Sequence, residues 1–312
     1  MADPKMRLGF REPDVDTNIP FVDGTVTVEG FDLEISKFQS PDTIDAWDAS
    51  FGGLMQTKGR GDHPFVSIPA YPNRKFRLQY IFVNNASGIE TPHDLEGKRV
   101  FVSSTAGVWA RGALQSYYEV DLTEVNWLMS GSEAKAWAPD INLETLPRGA
   151  DIDAMLLSRE LDAVIEPNVL PSITKRDPRV RRLFRDWKTE EQNYFRQTGI
   201  FPISHMVTLK QDFVDRHPEA PVALLKAYRR ARDVAFDRIE GADPSILTIS
   251  WASAAMAEQR AVMGDRYWAY NLEDNKRPLE AMMLYAHQFG LTPEQLDYES
   301  FFDPEAASLP GW

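Results

Sequence analysis

Four side chains in this sequence could bind or move charge at a single site. Arg74 and Arg77 fall in the loop PNRKFR at 72–77, Arg111 lies one turn into a helix-like run, and His205 follows the apolar stretch GIFPIS. A guanidinium keeps its charge when partly buried and grips a carboxylate through two parallel N–H groups. An imidazole with a reference pKa of about 6.5 can deliver a proton near neutrality. Together they would hold a small anion and protonate it. Each has a plainer alternative: a surface salt bridge for any one arginine, a structural hydrogen bond for the histidine.

The loop Ser103, Ser104, Thr105, Ala106, Gly107 adds a second anion-binding signal. It stands between an expected strand and an expected helix, where free backbone N–H groups and the helix dipole favour negative charge. Ser104 or Thr105 could equally do no more than cap that helix. Trp109, next to the loop, is a candidate platform for an aromatic ring, although Trp109, Tyr117, Tyr118, Trp127 and Trp137 as a group read as core.

These residues need elements to position them. The stretch TPHDLEGKRVFVSSTAGVWARGALQSYY at 91–118 reads as short helix, glycine turn, strand, small-residue loop and helix, which is half of a βαβ unit. A β-hairpin or strand pair is expected over 24–38 and a helix from a Ser40 or Asp42 cap through TIDAW. HPFVSIPAY at 63–71 and FRLQYIFVN at 76–84 are expected as inner strands of a first lobe. VNWLM at 125–129 reads as a strand, 151–167 as a helix followed by a strand, and 205–213 as a strand. From Ala220 onward the spacing is helical and predicts a C-terminal block that wraps back onto the first lobe.

At 312 residues the chain exceeds the usual size of one hydrophobic core, so two α/β lobes are expected. The first comprises 1–99 and 204–312 and the second 100–203, which puts His205 where the chain crosses back. A net charge of −13 argues against nucleic acid and anionic membrane surfaces as partners. The absence of cysteine excludes disulfides, thiolate metal sites and cysteine nucleophiles. No window offers a signal-like apolar core or a membrane span, so a cytoplasmic protein is expected. No metal-ligand spacing is present and no metal is expected; a homo-oligomer is compatible with everything above.

TGIFPISH at 198–205, with KRV, VWARG and the PNRKFR loop, resembles the 4,5-dihydroxyphthalate decarboxylase family. The similarity runs through DTNIPFVDGTVTVEGFDLE, IFVN, DLEGKRV, DPRVRRLF and the closing Asn275 with PLEAMMLYAHQFGL. The resemblance implies a two-lobed α/β fold of the periplasmic-binding-protein type II kind, with a ligand cleft between the lobes. It also implies a lyase that removes one carboxylate from a small anionic aromatic substrate without an organic cofactor. Arg74, Arg77, Trp109, Arg111 and His205 match the family's motifs. On that reading His205 donates the proton, Arg74 and Arg111 clamp carboxylate, Ser103 to Thr105 cradle the anion, and Trp109 supports the ring. Two other functions fit the same fold: a solute-binding protein that performs no chemistry, and a metal-assisted lyase using His205 with Asp48 or Glu166.

Overall fold

The computed structural model describes residues 3–130, 142–241 and 247–311. Among these, the strands form two mixed sheets. The first runs β2 (Asp32–Lys37), β1 (Lys5–Phe10), β3 (Ala46–Ser50), β12 (Ile203–Lys210) and β4 (Phe65–Ser67), with the short β5 (Asn73–Arg74) also pairing to β12. The second runs β11 (Val180–Arg182), β6 (Ile81–Asn84), β10 (Ala163–Ile165), β7 (Arg99–Val102), β8 (Asn126–Ser130) and β9 (Leu143–Leu146). β1 pairs in parallel with β2 and β3, while β12 lies antiparallel to β3, β4 and β5. β7 to β10 are mutually parallel where they touch, and β6 is antiparallel to both β10 and β11.

The helices are α1 (Ile19–Val22), α2 (Phe51–Gly59), α3 (Ser104–Ser116), α4 (Ile152–Ser158), α5 (Pro171–Thr174), α6 (Trp187–Thr198), α7 (Gln211–Arg216), α8 (Ala220–Glu240), α9 (Ala252–Met263), α10 (Lys276–Gln288) and α11 (Pro304–Ser308). Several begin on the residues that local chemistry favours. Asp151 accepts a hydrogen bond from the Ala154 N–H, and Asp186 from that of Thr189, each satisfying a donor that the first turn leaves without a partner. Helix α3 approaches its own sheet closely at Gly107, where a Cβ would lie 2.2 Å from a methyl of Val102. That closeness fixes where the N-terminus of α3 emerges. No described helix is long and apolar enough to cross a membrane.

Four sequence expectations change. The segment 24–38 is not a strand pair: Gly24 and Gly30 turn the chain at positive φ, and only Asp32–Lys37 is a strand. It lies parallel to β1, an arrangement that needs a crossover rather than a hairpin. Ser40 does cap, but only the 3₁₀ turn Pro41–Thr43, after which AWDAS becomes β3 because β1 and β12 hold it on both sides. The run 76–84 breaks into a 3₁₀ turn at Leu78–Tyr80 and strand β6, which joins the second sheet and not the first. IFVN is buried at every position, and such a run carries no alternation that would reveal its partners. The strand expected over 205–213 ends at Lys210, and α7 begins at Gln211.

Sheet membership therefore puts one chain crossing between Arg74 and Ile81 and the other between Arg182 and Ile203. The C-terminal helices pack on both halves: α8 lies against α1 and α11, while α10 touches α2 and α3.

Candidate active site

The return crossing brings His205 into the middle of the first sheet, where it faces Ser50 across the β3–β12 ladder and Val207 faces Asp48. Side chains two apart on a strand share a face, so Asp48 and His205 are diagonal neighbours on one side of the sheet. Their side chains meet, with Asp48 Oδ2 3.2 Å from His205 Nδ1. An ionised carboxylate only accepts, so Nδ1 carries a proton directed at Asp48, and Nε2 is the nitrogen left to exchange protons. The second oxygen of Asp48 accepts the Arg11 N–H at 2.7 Å. Asp48 is buried while the imidazole keeps 16% of its surface exposed, which suits a held base with one accessible edge. On the other side of β12, Asn73 stands opposite His205 and donates to Glu12 at 3.0 Å.

Arg77 is at the start of the 3₁₀ turn that leaves the first sheet, and its Nη2 donates to Ser204 Oγ, next in sequence to His205. It is only 4% exposed. Among the described residues, its Nε and Nη1 have no hydrogen-bond partner and no carboxylate forms an ion pair with it. Burial lowers its pKa to about 10, opposed by the more distant charges of Tyr80, Glu191 and Glu12. A guanidinium this dry with two open N–H groups is costly to maintain without an anion. A carboxylate arriving at either group would lower that cost by accepting a charge-assisted hydrogen bond.

The other expected cations are used by the fold. Arg74 donates through Nη1 to Asn275 Oδ1 and through Nη2 to the Phe201 carbonyl, both at 2.7 Å, and lies 4.5 Å above the Phe201 ring. It ties β5 to the start of α10, while its Nε stays buried without a hydrogen-bond partner among the described residues. Arg111 is buried along α3, donating to the Gly107 carbonyl at 3.2 Å with its guanidinium 4.2 Å from the Phe289 ring. Desolvation alone lowers its pKa well below the usual value. A helix residue one turn from the loop could face cleft or core, and here it faces core.

Trp109 likewise presents no open face. It is buried, its indole N–H donates to the Ile203 carbonyl at 2.7 Å, and Tyr285 meets its ring edge-on. It supports β12 two residues before His205. Thr105 hydrogen-bonds Ser50 Oγ at 2.9 Å and accepts the Gly52 N–H at 3.0 Å, so its hydroxyl links α3 to α2 instead of standing free for an anion. Ser103 is the half-buried N-cap residue of α3 and makes no side-chain cap bond. The side chain of Ser104 and the residue Trp137 lie outside the described residues.

The structure thus brings His205, Arg74 and Thr105 to the β5–β12–β3 junction and bonds Arg77 to Ser204 and Trp109 to Ile203 of β12, while Arg111 lies along α3 against Phe289 and Trp127. Asp48 and Ser204 complete the set. Asp48 was legible only as a possible metal partner; its signal was a lone carboxylate in the otherwise apolar run AWDA. Among the described residues, no group of three or more His, Asp or Glu side chains is placed to hold a metal ion.

No protein-family model matches the chain. Among curated proteins, the 4,5-dihydroxyphthalate decarboxylase of Comamonas testosteroni is 26% identical over 96% of this chain and 97% of its own length. That of Pseudomonas putida is 31% identical, over 57% of this chain and 76% of its own length. The chain belongs to the 4,5-dihydroxyphthalate decarboxylase family. Membership makes it an enzyme of the carboxy-lyase class. Solved structures agree on the fold of this family member. The periplasmic sulfonate-binding protein SsuA of Methylobacillus flagellatus superposes with a TM-score of 0.61 at 14% identity, covering 99% of this chain and 94% of that one. The desulfurization enzyme DSZB in complex with biphenyl-2-sulfinic acid gives 0.55 at 16% identity, covering 98% of each. The architecture is that of type II periplasmic-binding proteins, as the resemblance implied.

Proposed function

We propose that this decarboxylase acts on a hydroxylated aromatic dicarboxylate such as 4,5-dihydroxyphthalate, without an organic cofactor, by protonating the ring carbon that bears the departing carboxylate. The observation that carries the reading is the buried Arg77, with two unpartnered N–H groups and its third nitrogen bonded to Ser204, the residue before a histidine backed by a buried carboxylate. The substrate class comes from the named activity of the relatives.

In 4,5-dihydroxyphthalate each carboxylate-bearing carbon is para to a ring hydroxyl, whose oxygen stabilises the cation formed when that carbon takes a proton. Imidazolium Nε2–H of His205 supplies the proton. The C–C bond then breaks, its electron pair restores the aromatic ring, and carbon dioxide leaves. Asp48 steadies the charged imidazole through Nδ1, and Arg77 holds the retained carboxylate so that ring and proton donor keep their alignment. Arg74 and Trp109 serve this scheme as supports of β5 and β12.

The test is a thermal-shift screen of purified protein against phthalate, hydroxyphthalates, hydroxybenzoates and aliphatic diacids, with each stabilising compound followed for carbon dioxide release. Stabilisation by a hydroxyphthalate together with catalytic release supports the proposal. Stabilisation by hydroxyphthalates that emerge unchanged overturns the proposed substrate and reaction.

A further inference from the structure

The N-termini of α2 and α3 meet at one hydroxyl. Helix α2 follows β3 of the first sheet and helix α3 follows β7 of the second, so a bond between their first turns joins the two halves of the molecule. Thr105 makes that bond twice, with Ser50 Oγ at 2.9 Å and with the Gly52 N–H at 3.0 Å. The Gly52 amide is one of the donors that the first turn of a helix cannot satisfy internally, so Thr105 fills a need that exists whatever the ligand. Thr105 and Gly52 are both buried, and Ser50 sits directly opposite His205 on the ladder.

Room for this contact depends on residue 52 having no side chain. A Cβ there would lie 2.8 Å from Thr105 Oγ1 and 3.6 Å from its Cα and Cβ. The hydroxyl could relieve that overlap only by leaving both hydrogen bonds, and a β-branched side chain has few other rotamers to adopt. Gly53 differs: it is exposed, and a Cβ would meet only Ser50, at 3.7 Å.

We propose that Thr105 and Gly52 form a latch between the two sheets that holds Ser50 and the start of α3 against His205, and that glycine is required at 52 for the latch to close. Thr105 is thus a positioning residue. The inference rests on the proposed reaction only for its catalytic readout.

Two measurements test it on the full chain. Amide hydrogen exchange across 51–55 is compared in the wild type and in T105V, T105S, G52A and G53A, each first checked for an intact fold by thermal unfolding. T105V and G52A are expected to speed exchange, while T105S, which keeps the hydroxyl, and G53A stay near wild type. On 4,5-dihydroxyphthalate, T105V and G52A should lose about tenfold or more in kcat/KM, the scale expected when a reacting group is misplaced by a fraction of an ångström to an ångström. Wild-type exchange in T105V overturns the latch. Faster exchange with unchanged kcat/KM overturns its positioning role. A wild type that does not turn over 4,5-dihydroxyphthalate refutes the substrate, whereas the exchange comparison still decides whether the latch exists.

Discussion

Two regions carried the same expectation, and the fold treats them in opposite ways. At the β5–β12 junction, Arg77 is left with two N–H groups unspent and His205 with one edge open. Along α3 from Thr105 to Arg111, these polar side chains are engaged by the protein: Thr105 by Ser50 and Gly52, Trp109 by Ile203, and Arg111 by Gly107 and the Phe289 ring. Residue type made them equal candidates. What separates them is how much hydrogen-bonding capacity remains after folding.

The comparison breaks most visibly at the chemical step. His205→Ala should lower kcat on 4,5-dihydroxyphthalate by about 10²-fold or more, measured by carbon dioxide release; a loss within about threefold would remove the histidine from the proposed scheme. Next comes the contrast between neighbouring arginines. Arg77→Lys keeps a charge but not the planar fork and should raise KM by roughly 10-fold, whereas Arg74→Lys should chiefly lower the melting temperature, because Asn275 and the Phe201 carbonyl lose a shared donor. Equal effects of the two on KM would show that the division drawn between them is false.

Trp109→Phe sharpens the same contrast from the other region. It leaves the Ile203 carbonyl without its donor and should cost about 1–3 kcal/mol in denaturant unfolding, with KM nearly unchanged. The last effect, seen only as a pH slope, concerns Glu191, on α6, whose carboxylate accepts from the Gln79 N–H and side chain in the turn that follows Arg77. Burial raises its pKa to about 7, against the lowering effects of Gln79, Arg77 and Arg182. A carboxyl that holds its proton more tightly when folded stabilises fully below its unfolded value near 4.5 and loses that contribution as pH rises through about 7. Stability should therefore fall over that window by about 3 kcal/mol at most, and E191Q should flatten the slope when unfolding is followed at several pH values.

Local order was more legible in the sequence than partnership. DLEGKRV, the strand after it and α3 are where spacing puts them, as are β8, α4 with its Asp151 cap, β10 and α8. Each is specified within a dozen residues by caps, glycine turns and periodicity. The misplaced elements are those whose identity depends on a distant neighbour. AWDAS becomes a strand through β1 and β12, and IFVN joins the second sheet through β10 and β11. The site divides in the same way: His205 and Arg77 were visible by type, while the pairing of Asp48 with His205 needs two strands 157 residues apart to come into register.

The order in which the strands leave the ribosome follows from the same separation. The second sheet is drawn wholly from the continuous stretch 81–182, so its pairing can finish before the rest of the chain is made. The first sheet cannot do so, because β12, which lies between β3 and β4, is synthesised only after the second sheet is complete. Until then the strand carrying Asp48 has an open edge, and edges of that kind invite mispairing. The strand that closes this gap also carries His205, so the step that fills the sheet is the one that brings His205 to Asp48.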